Sequence, residues 1–130
     1  MEITSYTLAC AAARFLDDNK AQNIKILNIS SVSSFADYFV IASSDTSTQV
    51  KALTQNTAET IKKTFNRIPT GREDDVKNKW NLLDYGDVVV HILQNTERES
   101  YAIEKFWSHA YSIDREAWLE ESKEFSKYKN

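Results

Sequence analysis

The sequence predicts a single α/β domain with a mixed β-sheet packed against helices. Its length of 130 residues suits one domain, because a chain of this size buries enough surface to form one core. The 42% hydrophobic and 27% charged content is typical of globular proteins and argues against a disordered or fibrous chain. Helix-periodic segments alternate with short strand-like runs, and we find neither an internal repeat nor a domain linker.

The first half of the chain shows two helical and two strand patterns. Residues 5–18 have the spacing of an amphipathic helix whose apolar face carries Leu8, Ala12, Phe15 and Leu16. Residues 23–29 and 37–42 are the first two predicted strands, and the broken alternation at Ile26-Leu27 indicates either cover on both faces or a bulge. Thr46 followed by Gln49 is a capping-box pattern that opens a second helix.

The second half predicts a hairpin followed by helices. Residues 66–79 are polar and are expected to form a loop. Two strands, 80–84 and 87–93, meet at Tyr85-Gly86, where a glycine permits a positive φ. Residues 97–110 have helical spacing.

The end of the chain is predicted to stand apart from this domain. Residues 114–129 have a thin apolar face and dense charge, so we expect a helix that docks loosely or frays. The expected organisation is one domain over residues 1–112 and a C-terminal helical extension over 113–130.

Composition limits the compartment and the partner. The single cysteine, Cys10, rules out an intramolecular disulfide and is expected to be a small buried residue in a reducing cytosol. No apolar run approaches the roughly 20 residues that span a bilayer, and residues 1–6 lack a signal-peptide pattern, so we expect a cytoplasmic protein. The formal net charge of −3 lacks the basic excess of most nucleic-acid binders and favours a basic protein partner.

Strand parity in the hairpin predicts a contact surface. Val88, Val90 and Ile92 share one face, which leaves the other for Asp87, Val89 and His91. Trp80, Leu82 and Asp84 share a face of the preceding strand and are expected on that open side, although Trp80 as a plain core residue is an equal alternative. The candidate partner-binding residues are Trp80, Leu82, Asp84, Tyr85, Asp87, Val89 and His91.

A secondary surface is predicted on the following helix. Arg98, Tyr101, Glu104 and Trp107 lie at successive three-residue spacings, and their face could pair Arg98 with a carboxylate and present two aromatic side chains. The candidate secondary contact residues are Arg98, Tyr101 and Glu104. The alternative is ordinary packing of these residues within the fold.

The same residues offer only weak signals of catalytic chemistry. Asp84, Asp87 and His91 could form an acid–base or metal cluster, but no second histidine is close in sequence. The acidic run 73–75 has no accompanying ligand spacing and fits solvated loop charge. No Gly-x-Ser-x-Gly turn occurs, and two glycines cannot form a phosphate-binding loop. We expect no enzyme activity, metal or cofactor.

Three blocks of sequence carry a resemblance to a known family. They are Ser34-Phe-Ala-Asp-Tyr-Phe-Val-Ile-Ala-Ser43 continuing to Ala52, Trp80-Asn-Leu-Leu-Asp-Tyr-Gly-Asp-Val-Val-Val-His91, and Arg98-Glu-Ser-Tyr101 with Ile103-Glu104 and Phe106-Trp107. In order and spacing, the chain resembles the ribosomal silencing factors, also called Iojap-like proteins, from about residue 8 to residue 110. It departs from the usual family residues at Ser44, Thr48, Asp74 and Ser100.

The resemblance implies a nucleotidyltransferase-like shape without enzyme activity. It implies binding to the large ribosomal subunit through ribosomal protein number fourteen, which hinders joining of the small subunit and lowers translation when nutrients are scarce. It places the partner-binding surface on the 80–91 hairpin, with Trp80 as the firmest assignment. A metal-dependent nucleotidyltransferase-like enzyme and a homodimeric scaffold are the alternatives, and contact with rRNA is left open.

Overall fold

The computed structural model describes residues 3–101, 105 and 109–126. Six strands form one sheet in the order β3-β4-β5-β2-β1-β6. The strands are β1 (Gln22–Asn28), β2 (Tyr38–Ser44), β3 (Gly71–Glu73), β4 (Trp80–Asp84), β5 (Val88–Gln94) and β6 (Tyr111–Ile113). The helices are α1 (Ser5–Asp18), α2 (Ser47–Phe65), α3 (Asn95–Tyr101) and α4 (Arg115–Glu121), and a 3₁₀ turn follows at Lys123–Phe125. The predicted mixed α/β domain is confirmed.

A parallel pair of strands lies at the centre of the sheet. β2 and β5 run parallel, and every other neighbouring pair is antiparallel. Almost every residue of β2 and β5 is buried, because both faces of these strands are covered. A parallel pair needs a crossover connection, and α2 with β3 and β4 provides it.

Helices α1, α2 and α4 cover one face of the sheet, which we call the helix face. The buried cluster between them contains Leu8, Leu16, Ile26, Val40, Val50, Ile61, Val90, Ile92 and Trp118. Cys10 is completely buried in this cluster, as predicted.

Local hydrogen bonds set the limits of α2. The Thr46 hydroxyl accepts the Gln49 amide (3.1 Å), so the predicted helix start is confirmed. The Gln49 side chain accepts a hydrogen bond from the Ser44 hydroxyl (2.6 Å) and thereby ties the helix start to the end of β2. The helix ends at Phe65, and the capping residue Asn66 adopts the left-handed conformation with φ of 56°.

Strand β1 shows both features that its broken alternation allowed. Ile26 belongs to the core on the helix face and Leu27 to a second core on the opposite face. The pairing with β2 shifts register between Gln22 and Lys25, where Asn23 has a positive φ of 50°.

Two edge strands depart from the predicted elements. β3 lies within the segment expected to be a loop, and β6 lies at the boundary expected between residues 112 and 113. Both have three residues, which is too short for a period-two pattern to distinguish them from loops. The predicted helix over 97–110 is seen as α3, and residues 102–104 and 106–108 lie outside the described residues.

The C-terminal segment packs firmly against α1, so the expectation of loose docking is wrong for the part described. Trp118 on α4 is only 1% exposed. The Arg115 guanidinium lies 4.9 Å from the centre of the Trp118 ring and pairs with Asp17 of α1 (3.1 Å). Arg14 of α1 donates to the Ser122 hydroxyl (2.9 Å) and to a backbone carbonyl of α4. Burial of one tryptophan thus attaches the segment to the domain, although most of its other side chains are polar or charged.

We expect Trp118→Ala to lower the free energy of unfolding by about 3–5 kcal/mol, because it removes a fully buried aromatic side chain from the main core. Urea denaturation followed by circular dichroism measures this loss. Ala117→Ser, an exposed neighbour on the same helix, is the matched control and is expected to change stability by no more than about 0.5 kcal/mol. A Trp118→Ala protein as stable as the control would show that α4 is not part of the core.

Candidate protein-contact surface

The face of the sheet opposite α1, α2 and α4 carries a second, smaller apolar cluster, and we call it the open face. Helix α3 lies at its edge, where Tyr101 contacts Trp80. Its buried members are Leu27, Ile29, Ala36, Phe39, Ile41, Val89 and Leu93. Trp80 and Leu82 are partly buried and pack against this cluster. The hairpin register pairs Trp80 with Leu93 and Leu82 with His91, so these side chains share one face as parity predicted.

Trp80 is held in place by His91. The indole Nε1–H of Trp80 donates to His91 Nδ1 (3.2 Å). The Phe39 ring meets the His91 ring edge-on with centroids 4.6 Å apart, and His91 is only 5% exposed. Because Nδ1 accepts a hydrogen bond, a neutral His91 carries its proton on Nε2, an atom that has no hydrogen-bond partner among the described residues.

Burial keeps His91 uncharged. Loss of solvation on burial lowers the pKa of His91 from 6.5 to about 4, and the nearby negative charge of Asp84 opposes this shift only in part. At neutral pH the ring is therefore a hydrogen-bond acceptor for Trp80, and a proton at Nδ1 would break that bond.

The carboxylates near His91 have structural partners of their own. Asp84 accepts a hydrogen bond from the Gly86 amide (2.7 Å) and so supports the turn, where Gly86 has φ of 89°. Asp87 pairs with the Arg67 guanidinium at 3.1 Å. Nowhere in the described part of the chain do three or more histidine, cysteine, aspartate or glutamate residues come close enough to hold a metal ion.

Four of the predicted contact residues are buried. Val89 and His91 lie beneath the open face at 6% and 5% exposure, so they support the surface and do not form its exposed part.

Tyr85 is on the helix face and only 3% exposed. Strand alternation places its side chain on the same face as Leu83 and on the opposite face from Trp80. The Arg67 guanidinium lies 5.8 Å from the centre of its ring, and burial raises the pKa of Tyr85 to about 12. Its inclusion in the contact surface is wrong.

Arg98 is also buried, at 7% exposure, and its guanidinium donates to the Ser43 hydroxyl (3.2 Å). It anchors α3 to the end of β2, so the prediction that it faces a partner is wrong. Helical spacing alone cannot show which face of a short helix meets the sheet. Glu104 lies outside the described residues.

Five rings form a continuous row across the open face, which we call the aromatic row. Successive centroid distances are 6.2 Å from Phe35 to Phe39, 4.6 Å from Phe39 to His91, 6.0 Å from His91 to Trp80 and 5.2 Å from Trp80 to Tyr101. The two ends are exposed, Phe35 at 65% and Tyr101 at 53%. The sequence prediction did not include Phe35 among the contact residues. An aromatic residue in a serine-rich loop does indicate an exposed ring that a partner can contact.

Negative charge borders this row. Glu73 pairs in register with Leu82, so its exposed side chain lies on the open face. Glu73, Trp80 and Leu82 together line a shallow depression. Partly exposed Asp84 lies on the same face of β4. An apolar, aromatic surface with an acidic edge is suited to binding a protein of positive charge.

The chain is similar to proteins of one known family. Residues 2–130 match the family described as "Ribosomal silencing factor during starvation". The chain is 32% identical to the ribosomal silencing factor RsfS of Halalkalibacterium halodurans over 81% of this chain and 89% of that protein. It is 33% identical to the RsfS of Bacillus subtilis over 79% of this chain and 86% of that protein. A crystal structure of a Chromobacterium violaceum protein superposes with a TM-score of 0.77 and 31% identity, covering 82% of this chain and 88% of that one.

The state of His91 predicts a pH dependence of stability. Because its pKa is lower in the folded chain than the unfolded value of 6.5, its contribution is complete above pH 6.5 and is lost as the pH falls towards 4. The loss amounts to about 3 kcal/mol. We expect His91→Gln, which cannot take up a proton, to have a flatter dependence of unfolding free energy on pH between 6.5 and 4.

Urea denaturation at a series of pH values measures this dependence. His109→Gln, which replaces the exposed second histidine, is the matched control and should keep the wild-type slope. The same slope in His91→Gln and wild type would contradict a neutral, buried His91.

Proposed function

This chain belongs to the ribosomal silencing factor family, and from that premise we propose that it lowers translation by binding the large ribosomal subunit through the open face of its sheet. The family match and the identity to two such factors support a regulatory role in translation and association with the ribosome. The proposal adds which surface makes the contact and which ribosomal component it meets.

The observation that carries the proposal is the preorganised Trp80. Its indole is fixed by the hydrogen bond to His91 on one side and by contact with the Tyr101 ring, 5.2 Å away, on the other. A large aromatic side chain that is already held in place loses little conformational entropy on binding. Tryptophans in such settings often supply much of the binding energy of an interface.

We propose ribosomal protein number fourteen, a basic protein, as the direct partner. Glu73 and Asp84 provide negative charge on the same face as Trp80 and Leu82. Opposite charges across an interface raise the rate of association and fix its orientation, while the apolar centre supplies affinity. The overall charge of −3 acts in the same direction.

The proposed mechanism is steric and involves no chemical step. A domain of 14.9 kDa seated on the joining surface of the large subunit would occupy space that the small subunit needs. This would lower translation when nutrients are scarce, in keeping with the family description, and would take place in the cytoplasm.

Within the described residues, no helix is both long enough and apolar enough to span a bilayer.

A homodimer is the second candidate, because the same exposed aromatic row could pack against a second copy. Phe35 and Tyr101 at the ends of the row leave apolar surface open on both sides of Trp80. Since a second copy and the ribosome would then compete for one surface, sedimentation at several protein concentrations with and without large subunits separates the two functions. The alternative of a metal-dependent nucleotidyltransferase is not favoured, because Asp84 and Asp87 have separate structural partners.

We expect Trp80→Ala to weaken binding to large ribosomal subunits by about 2 kcal/mol, or roughly thirty-fold, because it removes the central anchor of the surface. Co-sedimentation of the protein with purified large subunits, at a series of protein concentrations, measures the affinity. The same measurement with isolated ribosomal protein number fourteen tests the direct partner.

Tyr111→Ala is the matched control, since Tyr111 is an exposed aromatic residue on the strand at the far edge of the sheet. It should bind large subunits as the wild type does. A folded Trp80→Ala protein with wild-type affinity would show that the open face is not the contact surface.

A further inference from the structure

The loop of residues 74–79, which joins β3 to β4 and which we call the β3–β4 loop, leads directly into Trp80. Its tip presents Val76 with 96% of its surface exposed, next to the exposed side chains of Lys77 and Lys79. A single apolar residue this exposed on an ordered loop makes no contribution to the core. It is available for contact with a partner.

The acidic residues of the loop are largely engaged within it. Arg72 donates two hydrogen bonds to the Asp74 carboxylate (2.7 and 3.0 Å), and these bonds lower the pKa of Asp74. The Asp75 carboxylate accepts the backbone amides of Lys77 (3.2 Å) and Lys79 (3.0 Å).

The two lysine side chains of the loop, unlike its carboxylates, are not held by contacts within the loop. Among the residues that the structure describes, the ammonium groups of Lys77 and Lys79 form no ion pair. The sequence alone indicates an acidic loop, because the run 73–75 precedes these lysines. Arg72 balances the charge of Asp74, and the Asp75 carboxylate keeps its charge but is directed at the backbone amides of the loop. The two ammonium groups are therefore the charged groups of the loop that have no such internal contact among the described residues.

A buried asparagine fixes the loop before any partner binds. Asn81 is completely buried on the helix face, where its side-chain oxygen accepts the Asp75 amide (2.8 Å). Its side-chain nitrogen donates to Asn78 Oδ1 (3.0 Å) and to the Thr54 hydroxyl (3.1 Å). The Gln94 amide donates to the carbonyl of Lys79 (2.8 Å) and attaches the end of the loop to β5. Binding by this loop would cost little ordering entropy.

We propose that the β3–β4 loop binds the sugar–phosphate backbone of rRNA beside the protein contact of the open face. The inference rests on the proposed function, because it places the loop next to a partner of the large subunit. A basic ribosomal protein would repel Lys77 and Lys79, whereas RNA phosphates attract them. Lysine meets phosphate as a point charge without reading sequence, and Val76 adds an apolar contact to the sugar or a base edge.

The first experiment measures the salt dependence of binding to large subunits. Each phosphate contact contributes about −0.7 to −0.9 to the slope of log affinity against log salt concentration. We expect Lys77→Gln/Lys79→Gln to weaken binding at low salt and to make the slope less steep by about 1–2. Lys62→Gln/Lys63→Gln, which makes the same charge change at exposed positions near the end of α2, is the matched control and should leave the slope unchanged.

A second experiment identifies the partner of the loop directly. The only native cysteine, Cys10, is completely buried, so Val76→Cys provides one accessible thiol for a photoactivatable cross-linker. On large subunits we expect the label at residue 76 to cross-link to rRNA. Cross-links to ribosomal protein alone would overturn the proposal, whether that protein is acidic or basic.

Separate variants distinguish the rRNA contact from the contact of the open face. Binding to isolated ribosomal protein number fourteen should be unaffected by Lys77→Gln/Lys79→Gln and weakened by Trp80→Ala. Unchanged or tighter binding of the double lysine variant to large subunits, with Trp80→Ala still impaired, would overturn the rRNA contact only. If the wild-type chain did not bind large subunits, both proposals would fall.

Discussion

The parallel pairing of β2 with β5 is the constraint on which the rest of the structure depends. A parallel pair requires a crossover between its strands, and that crossover contains α2 and the short strands that extend the sheet. It also requires apolar cover on both faces, because both strands consist almost entirely of buried residues. The three helices α1, α2 and α4 cover only one of these faces.

The open face follows from this unequal cover. Its core is smaller, and its outermost side chains, Trp80 and Leu82, are only partly buried. A buried polar group would normally weaken such a layer, but His91 remains neutral and uses one ring nitrogen to bind the indole of Trp80. The contact that satisfies Nδ1 of the histidine therefore also orients the aromatic side chain that a partner would meet.

Strand patterns predicted the centre of this fold well. The faces of Val88, Val90 and Ile92 and of Trp80 and Leu82 followed from alternation, because a period of two leaves no freedom once one face is buried. The two three-residue edge strands escaped prediction, since their pairing depends on neighbours distant in the chain. The burial of Trp118 also depends on tertiary packing that no local pattern records.

The sequence predicted only part of the candidate surface. The wrong assignments concern Tyr85 and Arg98, and Phe35 at one end of the aromatic row was missed. Tyr85 shares the turn with the contact residues, yet its own parity directs it to the other face. Arg98 is predicted to face a partner from its helical spacing alone, whereas its guanidinium in fact donates a hydrogen bond to the Ser43 hydroxyl of β2. The ends of the aromatic row join a loop to a helix, and such proximity is not visible in the sequence.

The polar contacts of Asn81 have a consequence for how this chain can vary over evolution. One amide side chain joins the middle of α2 at Thr54, the β3–β4 loop at Asn78 and the strand that contains Trp80. Replacement of any one member leaves a buried donor or acceptor without its partner, a loss that a second replacement can restore. These positions should therefore change together among related sequences, although they are far apart in the chain. A helix residue on the side away from the contact surface thus constrains the shape of a loop at its edge.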